Sequence, residues 1–258
     1  MESRIRGDLQ VKPAIFFDLG NTLLYYQGDR VAIELEAYQA LAQSLSTSGI
    51  PIPTKKFLKR FQNVMQSYYR RRTTTLIEET TIHQLRCVLS EFGQENVPDL
   101  ILRKALDQMY QITEPHWQLD PDTQTCLTTL RAIGFHLGLI SNASDSPNAF
   151  RLLRMHGLYS YFSTILISSV VGYRKPHEKI FLSALRTCPN AIGSHIFMVG
   201  DLMSTDIVGG YRNGMQTVWL SKHADPLEDA ESDPQPKPDL IFSSLAGLAA
   251  WMQEQYAA

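Results

Sequence analysis

The chain has 258 residues, 44% hydrophobic and 19% charged, with 24 basic against 26 acidic side chains and a formal net charge of −2. That length suits one large domain or two, and the charge balance excludes the broad positive field of a non-specific nucleic-acid binder. No stretch approaches the roughly 20 apolar residues that a membrane-spanning helix needs, and the polar start MESRIRGDLQVKP does not read as a signal peptide.

Cys87, Cys126 and Cys188 form neither a CxxC pair nor a zinc-like spacing, so each reads as a reduced, buried residue. The expectation is a cytoplasmic protein without nucleic-acid or membrane partners, a monomer or weak dimer.

Residues 1–11 read as a tail. AIFFD (Ala14 to Asp18) is then a short apolar run ending in a carboxylate, followed by Gly20 and Asn21, the pattern of a buried parallel strand delivering a polar residue to its tip. From Asp29 to about His116 the period becomes helical, in VAIELEAYQALAQSL, FLKRFQNVMQSYY, TIHQLRCVLSEF and LILRKALDQMYQI. Ile50-Pro51-Ile52-Pro53 and the Gly93 region break these helices.

Strand signals return in HLGLIS (His136 to Ser141), TILIS (Thr164 to Ser168), HIFMVGD (His195 to Asp201), QTVWL (Gln216 to Leu220) and DLIF (Asp239 to Phe242). Helices are expected around Asn148 to His156, His177 to Arg186 and Thr205 to Asn213. The acidic, proline-rich HADPLEDAESDPQPKPD reads as a surface loop. Alternating strands and helices predict an α/β fold, a doubly wound parallel sheet formed by residues 12–26 and 117–258, with an all-helical cap domain at 27–116. Such sheets bind ligands beyond the carboxyl ends of their strands, where Asp18, Ser141 and Asp201 fall.

Transfer of a phosphoryl group to a carboxylate needs a nucleophilic Asp, a metal to neutralise charge, a cation, and donors for the phosphoryl oxygens. The chain offers these in order: Asp18, then Ser141-Asn142, then Lys175 in GYRKPHEKIF, then Asp201 and Asp206 in GDLMSTD. Hard oxygen ligands in small number suit Mg²⁺.

FFDLGNTLL, LISN, RKPHEKIF and MVGDLMSTDIVGGYRNGM together resemble the four ordered motifs of the haloacid dehalogenase-like hydrolase superfamily, in particular members with a helical cap inserted after the first motif. The resemblance implies a Rossmann-like core and a phosphomonoesterase acting on a small phosphate ester. It also implies that Asp18 attacks phosphorus, that Asp18, the Gly20 carbonyl and Asp201 ligate Mg²⁺ with Asp206 ligating through water or holding Asp201 in place, that Ser141 and the Asn142 amide hold phosphoryl oxygens, and that Lys175 balances charge.

The chain departs from the family's Asp-x-Asp-x-Thr at one place, where Gly20 replaces the second Asp, the usual proton donor to the leaving group; a positioned acid is typically worth about 10²- to 10⁴-fold. A catalytically weak or inactive binding protein is therefore one alternative, and a 2-haloacid dehalogenase, with no need for paired metal-binding aspartates, another. Thr22 and Leu23 read as support for the loop, His177 and His195 as structural, and Trp117, Trp219 and Trp251 as core or interface residues.

Between Glu36 and Glu78 no acidic residue occurs, while Lys55, Lys56, Lys59, Arg60, Arg70, Arg71 and Arg72 do. Such a run is usually a solvated face. Arg70, Arg71 and Arg72 are the candidates for holding an anionic remainder of the substrate.

Overall fold

The structure is a computed structural model and describes residues 12–189, 191, 195–224 and 236–257. The expected N-terminal tail, and most of the expected proline-rich loop, lie outside the described residues. Among the described residues no helix is long and apolar enough to cross a membrane.

In chain order the elements are β1 (Ala14–Phe17), β2 (Leu24–Tyr26), α1 (Arg30–Thr47), α2 (Thr54–Thr75), α3 (Thr81–Ser90), α4 (Asp99–Thr113), β3 (Trp117–Leu119), α5 (Thr123–Ala132), β4 (His136–Ser141), α6 (Ser146–Met155), β5 (Thr164–Ile167), α7 (Ser168–Val171), α8 (Glu178–Leu185), β6 (Ile196–Gly200), α9 (Val208–Arg212), β7 (Gln216–Leu220), β8 (Leu240–Phe242) and α10 (Leu245–Tyr256).

Six strands form one parallel sheet in the order β5-β4-β1-β6-β7-β8. Phe17 lies beside Leu139 of β4 on one side and Val199 of β6 on the other. The first strand is thus central, and its carboxyl end is a point where strand order reverses, the place where such sheets open a ligand crevice.

Alternation along the strands packs both faces. Ile15 and Phe17 of β1, with Phe197 and Val199 of β6, pack under α5, α6 and α10 through Leu127, Leu153 and Leu248. Ala14 and Phe16, with Ile196 and Met198, pack against α8 through Ile180 and Phe181. Gly138 of β4 is required by this packing, because a Cβ there would stand 2.2 Å from the Phe16 ring.

Helices α1 to α4 bury a separate apolar cluster that includes Tyr38, Leu41, Phe57, Phe61, Leu85 and Leu106. Helix α1 starts where the Asp29 carboxylate accepts the amides of Val31 and Ala32 at 3.0 and 3.2 Å. Its residues Ile33, Ala37, Tyr38, Leu41 and Leu45 then fall on one buried stripe. Each fully buried Phe of this cluster contributes on the order of 1.5–3 kcal/mol.

The chain leaves and re-enters the sheet layer through β2 and β3, paired antiparallel. The two layers are tied by ion pairs: Arg103 of α4 reaches Asp145 at 2.7 Å, and Arg151 of α6 reaches Asp107 at 3.0 Å.

Cys126 and Cys188 are buried as expected, whereas Cys87, on α3, is exposed. The β2–β3 ribbon and helices α5 and α10 are absent from the expectations above. The ribbon strands are only three residues long. The sequence TQTCLTTLRA is rich in β-branched threonine, which dilutes the helical spacing of its buried Thr123, Cys126, Leu127 and Leu130, and LAGLAAWM is small and apolar on several sides.

Candidate active site

Four chain segments meet at the carboxyl edge of β1, β4 and β6. Asp18 follows β1, its amide bonded to the Val199 carbonyl at 2.9 Å. Beyond it the chain reverses, with the Leu23 and Leu24 amides both donating to the Leu19 carbonyl. Asn21 adopts φ 55° in this turn, a left-handed conformation that Asn tolerates better than most residues. Ser141 ends β4, and Asp201 follows β6 directly.

Asp206 sits in a wide turn, Met203–Ile207, that precedes α9. Its carboxylate folds back to accept the Leu202 amide at 3.2 Å and occupies the space a side chain at 200 would need. A Cβ on Gly200 would lie 2.2 Å from Asp206 Cγ.

Lys175 is 1% exposed. Its ammonium lies 2.5 Å from Asp18 Oδ1, 2.7 Å from Asp206 Oδ1 and 2.8 Å from the Ile140 carbonyl. The Asn142 side chain holds the backbone of Lys175 from both sides: its Oδ1 accepts the Lys175 amide at 2.8 Å, and its Nδ2 donates to the Lys175 carbonyl at 3.1 Å. The Lys175-Pro176 peptide is cis.

Asp18, Asp201 and Asp206 bring carboxylate oxygens within 4.8 Å of one another, and all three residues are buried. Burial, followed by the charges of Asp18 and Asp206, pushes the Asp201 carboxyl up to about 9. Burial also raises Asp206, against the opposing pull of Lys175. Lys175 is itself held above its usual value, because the charges of Asp18 and Asp206 outweigh its burial. Among the described residues Asp201 Oδ2 is buried without a hydrogen-bond partner. Three crowded carboxylates, one with an orphaned oxygen, meet a single lysine; this donor set fits a hard divalent cation.

One cleft of about 290 Å³ is lined by Asp18, Gly20, Ser141, Asn142, Lys175, Asp201 and Asp206, so the candidate residues of all four motifs converge. Arg72 lines it as well, whereas Arg70 and Arg71 do not. A helix turns about 100° per residue, so three consecutive arginines cannot share one face. Arg71 turns instead to Glu79 at 3.1 Å, and Arg70 is exposed. Arg60 pairs with Glu91 on the surface, and Lys55, Lys56 and Lys59 are solvated.

Several participants escape the sequence reading. Arg30 and Arg174 line the cleft; Arg174 stands next to Lys175 in the motif, the signal that could have found it. Trp219 donates its indole N–H to the Asp201 carbonyl at 2.7 Å. Thr22 is 3.3 Å from Asp201 Oδ1, so this supporting residue touches the acidic cluster. Trp117 covers Gly20, with its ring 3.2 Å from where a Cβ would be. The indole thus crowds the space into which the family's usual aspartate would project. His177 caps α8 and His195 lies against Tyr256, both structural.

Residues 12–214 match the haloacid dehalogenase-like hydrolase family. The chain belongs to that family. The hydrolase is 31% identical to the glyceraldehyde 3-phosphate phosphatase of Pyrococcus abyssi over 225 residues, 80% of each chain. It is 41% identical to pyrimidine 5'-nucleotidase YjjG of Escherichia coli K12 over 87 residues, 34% of this hydrolase and 38% of that protein. Among solved structures, a 2-haloacid dehalogenase from Pseudomonas syringae pv. Tomato DC3000 shares the fold at a TM-score of 0.66 and 23% identity, over 95% of this hydrolase and 100% of that chain.

Proposed function

We propose that this hydrolase is a magnesium-dependent phosphomonoesterase that works through an aspartyl phosphate at Asp18. The observation that carries this reading is the buried cluster of Asp18, Asp201 and Asp206 with the Lys175 ammonium set against two of its members. The similarity to an archaeal phosphatase supports the reaction class.

Asp18, the Gly20 carbonyl, Asp201 and Asp206 would hold Mg²⁺. When bound, the ion supplies electrostatic stabilisation of charge on the phosphoryl oxygens.

A carboxylate oxygen of Asp18 attacks phosphorus, and the bond from phosphorus to the ester oxygen breaks with its electron pair leaving on that oxygen. Water then attacks phosphorus, breaking the Asp18–phosphate bond and releasing inorganic phosphate. Lys175 remains cationic and lowers the cost of bringing a phosphate dianion against Asp18, while Ser141 and the Asn142 amide supply donors to the phosphoryl oxygens. Gly20 carries no proton, so the leaving oxygen departs with its negative charge and takes its proton from water once the cap reopens.

In this reading residues 27–116 act as a cap over the cleft, excluding bulk water during transfer, in a cytoplasmic enzyme for small phosphate esters. A 2-haloacid dehalogenase would use Asp18 on carbon and has no role for the Asp201–Asp206 pair.

The test is hydrolysis of p-nitrophenyl phosphate by purified protein. Turnover with Mg²⁺ that stops with EDTA and is lost in Asp18→Asn is expected. Metal-independent turnover, or an active Asn variant, contradicts the reading.

A further inference from the structure

The cleft carries more positive charge than phosphoryl transfer uses. Arg174 and Lys175 are neighbours in sequence, yet their side chains serve different walls. Lys175 enters the carboxylate cluster, whereas Arg174 turns to Glu78, with Nη1 3.4 Å from Glu78 Oε2.

Glu78 is buried and already engaged. Its Oε1 accepts the Tyr68 hydroxyl, and its Oε2 accepts the Ser168 hydroxyl at 2.6 Å. The contacts of Arg174 to Glu78 and to the Tyr68 hydroxyl still leave several of that guanidinium's five N–H donors for another acceptor.

Arg72 faces the same cleft from the end of α2. Its guanidinium lies 4.5 Å from the Tyr69 ring centre and 5.6 Å from that of Tyr68. Stacking of this kind fixes the plane of the fork and consumes none of its N–H donors.

The two arginines are close enough for the charge of Arg72 to add to burial in holding Arg174 below its usual pKa. Glu78 offsets part of the charge of Arg174 and Glu34 part of that of Arg72; the two like charges, one from the helical layer and one from the sheet layer, still repel across a half-enclosed cleft, an arrangement that an entering anion relieves. An adjoining hollow of about 190 Å³ shares Arg72, Asn142 and Asn148 with the cleft, which leaves room for a short carbon skeleton beside the phosphoryl site.

We propose that Arg72 and Arg174 form a clamp for a second oxyanion, carried on the leaving alcohol, so that the preferred substrates are phosphomonoesters of short hydroxy acids or small bisphosphates. This rests on the phosphomonoesterase reading and assigns the substrate class to it. Planar guanidinium forks match carboxylate and phosphate oxygens in pairs.

The experiment compares kcat/KM of the Mg²⁺-loaded full chain for 3-phosphoglycerate, fructose 1,6-bisphosphate, glycerol 3-phosphate, cytidine monophosphate and p-nitrophenyl phosphate. Either of the first two is expected to exceed glycerol 3-phosphate by about ten- to hundredfold, and which of them leads tells a carboxylate from a second phosphate. Arg72→Gln is expected to remove that advantage through KM, and Arg72→Lys to keep part of it, with thermal melts reporting that both variants are folded.

If p-nitrophenyl phosphate turns over but the second anion brings no advantage, or cytidine monophosphate leads, the clamp is overturned and the phosphatase reading stands. An equal loss on all five substrates in Arg72→Gln also overturns it, by assigning Arg72 to the shared phosphoryl group. Failure to hydrolyse any of the five refutes the underlying reading and the clamp with it.

Discussion

Lys175→Met removes the ammonium that touches Asp18 and Asp206 while keeping the length of the side chain. In the folded protein that ammonium is buried and has three oxygen partners between 2.5 and 2.8 Å away. Removing one member of a buried ion pair typically costs about 3–5 kcal/mol, because the remaining charge is left uncompensated. At ~2–4 °C of melting temperature per kcal/mol for a chain of this size, the expected fall in EDTA is ~6–20 °C.

The loss has a definite pH dependence. The carboxylates left behind hold protons more tightly in the folded than in the unfolded state, so the variant loses stability as pH rises and resembles wild type more closely at about pH 5 than at about pH 8. A divalent ion places positive charge in the same corner, so Mg²⁺ should raise the melting temperature of the variant by more than that of wild type. Circular dichroism melts in EDTA and in Mg²⁺ at the two pH values give all four numbers. A variant that melts within a degree or two of wild type in EDTA, or gains no more from Mg²⁺ than wild type does, refutes the electrostatic account of the site.

Metal-free wild type should itself lose stability as pH rises from the ordinary carboxylate range toward about 9, because the folded Asp201 retains a proton that the unfolded chain has released; Mg²⁺ should flatten the curve of melting temperature against pH. Gly200→Ala and Gly138→Ala each place a Cβ 2.2 Å from a neighbour, Asp206 and Phe16 respectively. Both should cost about 1–3 kcal/mol, but only Gly200→Ala should also weaken the melting response to Mg²⁺.

Asn142→Ala removes both hydrogen bonds to the Lys175 backbone. A loss of about 1–3 kcal/mol in stability is expected from the unsatisfied groups, with kcat falling more than KM rises in steady-state kinetics. With Gly20 offering no proton, rates across a series of aryl and alkyl phosphates should depend steeply on leaving-group acidity; a flat series would mean that another acid serves the leaving oxygen.

The strand tips were legible because chemistry and periodicity coincide there. Asp18 and Asp201 each follow a continuous apolar run, and Ser141 closes one, so each could be placed at a strand's carboxyl end, whereas the strand order that gathers them is seen only in the folded chain. Lys175 was legible for a similar reason, standing in a motif at a fixed place in the order. Arg72 and Arg174 were not separable from their neighbours: three arginines in a row look alike until a helix fixes which one turns inward, and Arg174 differs from Lys175 only in which wall its side chain follows.

Trp117 and Trp219 read as core because their role depends on long-range packing, against Gly20 and the Asp201 backbone. No local spacing encodes such contacts. Asn142 was expected to serve through its amide, and the two bonds of its side chain to Lys175 appear only once β4 and the 174–176 loop are neighbours. Helix α5 escaped because threonines dilute its buried stripe, and α10 because its first two turns are apolar on several sides.

The most direct test of the account is to trap the bond it places on Asp18. Protein turning over a phosphomonoester with Mg²⁺ is quenched with borohydride, which reduces an aspartyl phosphate to homoserine, and peptides are mapped by mass spectrometry. The account predicts homoserine in place of Asp18, dependent on substrate and metal. Turnover that leaves Asp18 unmodified, or a reduced carboxylate elsewhere in the chain, would contradict it.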